Sequence, residues 1–269
     1  MTNDYIASAA QLACLLEASA PKPGNVSPGH GFPDASYEDF LASAAAIGPA
    51  FAANLPLGAT IHAAIRATCQ WTRSNTNLGI VLLLAPLARA ARSPRPLRDA
   101  LHDVLAAATV EDAREVYAAI RLARPGGLGT ADAEDVSADP KVSLTEAMRL
   151  AADRDSIAAE YVTDYRITFE IGLPAFIEAR SEGWEAATVR TYLALLAEIP
   201  DTHIRRKRGA SVADQVSRDA KKVLDAGPEG RALFDHRLRA AGLNPGTTAD
   251  LTAAALYVAL LSGLWHPPR

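Results

Sequence analysis

Cysteine is almost missing from this 269-residue chain: Cys14 and Cys69 are the whole supply. Two thiols in helix-like stretches build no disulfide framework, which fits a reducing, cytoplasmic setting. An excess of basic residues is missing too. There are 27 Lys and Arg against 31 Asp and Glu, a net charge of −4. No global positive field is present to hold nucleic acid, so any polyanion must be a small ligand held by a local cluster. No apolar run reaches the ~18 residues that a membrane span needs. The first residues, MTNDYIASAAQLACLLEASA, lack a basic leader and carry Asp4 and Glu17. They read as an amphipathic helix, not a signal peptide, and no membrane partner is expected. Zinc spacings (HxxxH, HExxH, paired CxxC) are absent. So are GxxxxGK[ST], GxGxxG after a strand, and GxSxG, which removes the common nucleotide and hydrolase folds.

Aromatic residues make up 6% of the chain and β-branched residues are few, while the 49% apolar content leans on Ala and Leu. That balance favours helices over sheets. Helical periodicity recurs almost without interruption. It predicts helices over 4–19, 37–53, 57–73, 77–92, 96–107, 111–123, 143–152, 154–180, 184–198, 210–226, 229–241 and 248–263. Ser36 before YEDF, Ser143 with Glu146, and Thr248 before ADLTAAALYVALL read as helix starts. Pro21, Pro94, Pro125, Pro200 and Gly227-Pro228 read as stops. Strand-like alternation is nearly absent. No repeat and no linker divides the sequence, so the expectation is one all-α domain over 1–269, a bundle of about ten to twelve helices.

Five stretches break the periodicity: APKPGNVSPGHGFPD (20–34), SNTNLG (74–79), RPGGLGTADAEDV (124–136), DTHIRRKRG (201–209) and LNPGTTAD (243–250). A helix start preceded by Gly, Asn or Thr presents unbonded N–H groups and a positive dipole end, which suits anions. Pro21 and Pro23 restrict the backbone around Lys22, and Gly24 allows a bend beside Asn25. The result reads as a pre-aimed cation, or as a plain exposed turn. Asn75, Thr76 and Asn77 suit a ribose or phosphate, or a simple cap. Asp201 and His203 precede four cations, including Arg206 and Arg208, a set that suits phosphate binding with acid–base chemistry or a solvated face. Asn244, Gly246 and Thr247 form a turn and cap, with Asp250 placed for the helix dipole or for a metal ion.

In order and spacing, PKPGNV, GHGFPDASYEDFLASAAAI, NTNLG, DTHIRRKRG and NPGTTADLTA resemble the triphosphoribosyl-dephospho-CoA synthase family over nearly the whole chain. The resemblance implies an all-helical enzyme. It would move the triphosphoribosyl part of ATP onto the ribose 2′-hydroxyl of dephospho-CoA, releasing adenine. The product is the precursor of the prosthetic group of citrate lyase or malonate decarboxylase acyl carrier proteins. ATP as substrate and Mg²⁺ are implied with it. Better-known members read Asn-Thr-His-Lys-Gly where this chain has Asn75-Thr76-Asn77-Leu78-Gly79, and an Ala-Arg-Gly-Glu-Ala-type segment where it has RPGGLGTADAEDV. A related acceptor, including one in methanopterin-linked one-carbon metabolism, therefore stays open. So do a phosphotransferase or ATP hydrolase, and a non-catalytic nucleotide-binding helical protein.

Displacement at ribose C1′ passes through an oxocarbenium-like state and needs a base, a donor for adenine and positive charge for the triphosphate. On that chemistry Asp201 is the candidate base, with His203 beside it. Lys22, Arg206 and Arg208 are candidate phosphate clamps, supported by Gly24 and Asn25. Asn75, Thr76, Asn77, Asn244, Gly246 and Thr247 are candidate nucleotide contacts, and Asp34 and Asp250 candidate magnesium ligands through water. The sequence leaves the oligomeric state open, a homodimer included.

Overall fold

A computed structural model of the chain describes residues 1–127, 133–224 and 226–266. Among these residues it is all-α, with no strand. The helices are α1 (Asn3–Ser19), α2 (Tyr37–Ala46), α3 (Gly48–Ala52), α4 (Leu57–Thr68), α5 (Leu78–Ala90), α6 (Leu97–Ala106), α7 (Val110–Ala123), α8 (Leu144–Arg149), α9 (Ser156–Val162), α10 (Leu173–Ala179), α11 (Trp184–Glu198), α12 (Thr202–Arg208), α13 (Ala210–Val223), α14 (Pro228–Ala240) and α15 (Gly246–Leu261). Part of the 124–136 stretch, residues 128–132, lies outside the described residues, as does Asp225 of the expected 210–226 helix.

The count exceeds the expected ten to twelve for three local reasons. The 37–53 stretch divides at Gly48-Pro49. The 154–180 stretch divides where Asp164 and Tyr165 take positive φ and a π-helical turn spans Thr168–Gly172. The 201–209 stretch, expected to be non-helical, is helix α12. Asp201 caps it, accepting from Ile204 N at 2.9 Å, and its Arg and Lys residues are good helix formers whose charges complement the C-terminal dipole.

The chain packs into two compact units, one of residues 1–15 and 38–166, the other of residues 16–37 and 167–269. In the first, α5 is buried along nearly its whole length despite Pro86. Proline has no N–H to offer the carbonyl four residues back, Leu82 O. Tyr161 Oη supplies the missing donor at 2.7 Å. The same device recurs at Pro49, where Gln11 Nε2 donates to Ala45 O at 2.8 Å. Helices α4 and α7 meet closely at Gly58, where an added Cβ would lie 2.5 Å from Asp112 O, and Gly58 N donates to Asp112 Oδ1 at 2.8 Å.

In the second unit α15 is apolar around its whole circumference and almost fully buried, the pattern of a central helix. A core of Tyr192, Leu193, Leu196, Ile204, Val216, Phe234 and Leu238 joins α11, α12, α13 and α14 with Ala20 and Ala249. This core fixes the start of α12, the start of α15 and the loop after α1 within one unit.

Candidate active site

The loop at 20–26 is built inward. Lys22 has no exposed surface. Its ammonium pairs with Glu17 at 3.1 Å and donates to the carbonyls of Glu17, Ala20 (3.2 Å) and Val26 (3.4 Å). Burial pushes the Lys22 pKa down and the Glu17 pKa up, and their mutual attraction opposes both shifts. Three carbonyls around the ammonium favour its charged form. In this placement Lys22 offers no atom to a ligand, unlike the phosphate-facing cation suggested by sequence; it is the clamp that shapes the loop. Glu17 was the missed partner. Its signal was present: an acid in the last turn of a helix opposes the dipole and calls for a nearby cation.

Gly24 has φ +71, and an added Cβ would meet Leu238 at 2.8 Å and Leu243 O at 3.0 Å. Its N–H donates to Asp235 Oδ1 at 2.7 Å. Arg239 Nε donates to both oxygens of Asp235 at 2.8 and 2.9 Å, and Arg239 Nη2 donates to Asn25 O at 2.6 Å. Tyr192 Oη donates to Pro23 O at 2.8 Å. Asp235, Arg239 and Tyr192 were not expected from sequence. Asp235 and Arg239 stand four apart on a helix, a spacing that fits any solvated surface pair equally well.

Asp201, 2% exposed, joins two helix starts. Besides Ile204 N, its carboxylate accepts from Thr248 N and Thr248 Oγ1, each at 2.8 Å. Burial raises its pKa, and these donors hold the rise down. Thr202 Oγ1 donates to Thr247 Oγ1 at 3.1 Å. The start of α15 therefore spends three of its amides inside the protein: Thr248 N on Asp201, Gly246 N on Asn244 O (2.8 Å) and Ala249 N on Pro245 O (3.2 Å). Its dipole already meets a carboxylate, and polar side chains stand against the turn.

Those side chains are His203, Asn25 and Asn244. His203 packs on Gly246, where an added Cβ would come within 2.8 Å of Nδ1. His203 Nε2 is buried and without a partner. Burial lowers its pKa to about 4, with Lys207 and Arg206 adding to the effect and Asp34 opposing it; the imidazole is neutral at pH 7. Asn25 Nδ2 donates to Asn244 Oδ1 at 2.8 Å, while Asn25 Oδ1 is buried without a partner. Arg206 is exposed in the last turn of α12. Arg208, also exposed, has Nη2 only 3.2 Å from where a Cβ on Gly242 would stand. Asp34 is exposed and Asp250 half-buried. Among the described residues, no three His, Cys, Asp or Glu side chains gather as a metal-binding set.

Three expected stretches thus share one unit and are tied to one another: 20–34, 201–209 and 243–250. Asn75, Thr76 and Asn77 belong to the other unit. There Asn75 Oδ1 accepts from Leu78 N at 3.1 Å, Thr76 shares a hydroxyl contact with Ser43, and Asn77 Nδ2 donates to Thr68 Oγ1 at 3.0 Å. Asn77 Oδ1 is buried without a partner.

Residues 3–268 match the CitG family, ATP:dephospho-CoA triphosphoribosyl transferase, and the chain belongs to that family. It is 28% identical over 154 residues to a protein of Pseudomonas syringae pv. tomato that carries the name 2-(5''-triphosphoribosyl)-3'-dephosphocoenzyme-A synthase. The matched stretch is 47% of this chain and spans about half, 53%, of that relative. A crystal structure from Archaeoglobus fulgidus, described as a triphosphoribosyl-dephospho-CoA synthase, is similar with a TM-score of 0.71 and 30% identity. The likeness covers 84% of this chain and 100% of that one. No helix among the described residues is long and apolar enough to cross a membrane.

Proposed function

We propose that this chain transfers the triphosphoribosyl group of ATP onto the ribose 2′-hydroxyl of 3′-dephospho-CoA and releases adenine. The observation that carries the reading is the family match across residues 3–268. The bond from the acceptor oxygen to ribose C1′ forms as the C1′–N9 bond breaks, and the electron pair leaves with adenine, which takes up a proton. His203 suits the role of base better than Asp201. Its Nε2 is unfilled and neutral at pH 7, whereas both Asp201 oxygens are engaged. A positioned base contributes about 10²–10⁴-fold. Asp201 is then a positioning residue: it ties the start of α12, and so His203, to the turn at 244–248.

Arg206 and Arg208 are the proposed cations for the triphosphate, whose charge they stabilise as the sugar carbon becomes cationic. Mg²⁺ would be held by Asp34 and Asp250 through water, and would supply positive charge to offset the triphosphate. Gly246 and Thr247 shape the turn against which the sugar lies. In the other unit, the 75–77 turn is a proposed nucleotide contact, with Asn77 Oδ1 as an acceptor for a ligand hydroxyl. The reading treats the chain as one working transferase in the cytoplasm, with small-molecule substrates.

The test is incubation with Mg-ATP and dephospho-CoA followed by chromatography. Free adenine that depends on the acceptor is the expected result. ADP or inorganic phosphate in its place would assign a phosphotransferase or hydrolase. Adenine release only with another hydroxylated acceptor would move the chain to a related transferase.

A further inference from the structure

Asn25 is held so that one atom can face a ligand. Its carbonyl is fixed by Arg239 and its N–H donates to Lys22 O at 3.1 Å. Its side-chain amide is spent on Asn244 Oδ1. What is left is Oδ1, in a residue only 4% exposed, as an acceptor with no donor. His203 stands against the same short turn, on Gly246, with Nε2 likewise unfilled. Buried polar atoms are nearly always hydrogen-bonded; Asn25 Oδ1 can only accept and His203 Nε2 accepts in the tautomer with its proton on Nδ1, so the two unfilled atoms flanking one three-residue turn fit a ligand that brings two donors. Two adjacent hydroxyls meet that need; a phosphate, with acceptor oxygens and negative charge, does not.

We propose that Asn25 Oδ1 and His203 Nε2 together read the cis-diol of one unphosphorylated ribose, that of the acceptor. The inference rests on the transferase reading above. With the 2′-hydroxyl on His203, the neighbouring 3′-hydroxyl donates to Asn25. A 3′-phosphate at that place would set anionic oxygens against Asn25 Oδ1 and leave that acceptor unpaired. The pair is thus a specificity device that admits dephospho-CoA and turns CoA away. A site built to bond a hydroxyl rejects analogues lacking it more strongly than an apolar pocket rejects a missing methylene.

The same diol exists on ATP, so the experiment has two arms. Titration calorimetry on the wild-type chain compares dephospho-CoA with its 3′-deoxy analogue and with CoA, and ATP with 3′-deoxy-ATP. The expected result is at least about a tenfold loss for 3′-deoxy-dephospho-CoA, a larger loss for CoA, and equal binding of ATP and 3′-deoxy-ATP. Asn25→Ala should then bind dephospho-CoA and its 3′-deoxy analogue alike. Equal binding of the two acceptors by the wild-type chain overturns the inference, and no variant is needed to see it. A loss seen with 3′-deoxy-ATP alone overturns the assignment to the acceptor. Acceptor-dependent adenine release without 3′ discrimination overturns this inference and leaves the transferase reading standing. No dephospho-CoA binding and no adenine release overturns both.

Discussion

At the scale of single residues, burial decides which of the polar side chains can act. His203 has its pKa lowered to about 4, chiefly by burial. In kcat/KM its acid limb should therefore fall near pH 4, with a flat plateau from about pH 5 upward. A limb near 6.5, the ordinary value for an exposed imidazole, would remove His203 from the base role. The same shift acts on stability. The unfolded chain binds this proton first, so the contribution is complete above about pH 6.5 and is lost as pH falls toward 4. Lys22 shows the opposite use of a charge. Lys22→Ala strands Glu17 in the interior and should cost roughly 3–5 kcal/mol of stability, whereas replacing both partners, Glu17→Leu with Lys22→Met, should recover most of that loss. Urea denaturation of the wild-type chain and the two variants measures both numbers. A loss under about 0.5 kcal/mol for Lys22→Ala, the usual scale of a surface change, would contradict the buried placement.

Elements carry a second lesson, about prolines inside helices. Pro86 and Pro49 each orphan a carbonyl, and a distant side chain answers each one. Tyr161→Phe removes the hydroxyl that bonds Leu82 O and should cost about 1–3 kcal/mol. In a Pro86→Ala background the new N–H reaches Leu82 O itself, so the same tyrosine change should cost clearly less. A double-mutant cycle in denaturant reads the difference; equal costs in both backgrounds would sink the compensation. The elements were also the most legible part of the sequence. Ala/Leu periodicity and the Ser143 cap, observed here with Glu146 N bonding Ser143 Oγ, are local signals. Helix α12 was missed because its Gly, Thr and clustered cations resemble a loop, while the interaction that extends it, Asp201 to Thr248, spans 47 residues. Asp201, His203, Asn25 and Asn244 were legible as candidates from turn chemistry. Their proposed division of labour was not. It depends on which polar atoms are already bonded, and Glu17, Asp235 and Arg239 settle that from other elements.

For the molecule as a whole, ligand linkage gives the broadest check. Mg-ATP at 100 times its dissociation constant should add about 2.7 kcal/mol and raise the melting temperature by several degrees. Thermal shift without any change at millimolar nucleotide would count against an ATP-using family member. The central claim is narrower: the family's reaction runs here, and runs at His203. It is tested most directly by acceptor-dependent adenine release from Mg-ATP and dephospho-CoA, measured side by side for the wild-type chain and His203→Gln. The expected result is one adenine per acceptor consumed by the wild-type chain, with release slowed by about 100-fold or more in His203→Gln at unchanged ATP affinity. Wild-type release of ADP or phosphate in place of adenine, or a His203→Gln variant as fast as wild type, would contradict it.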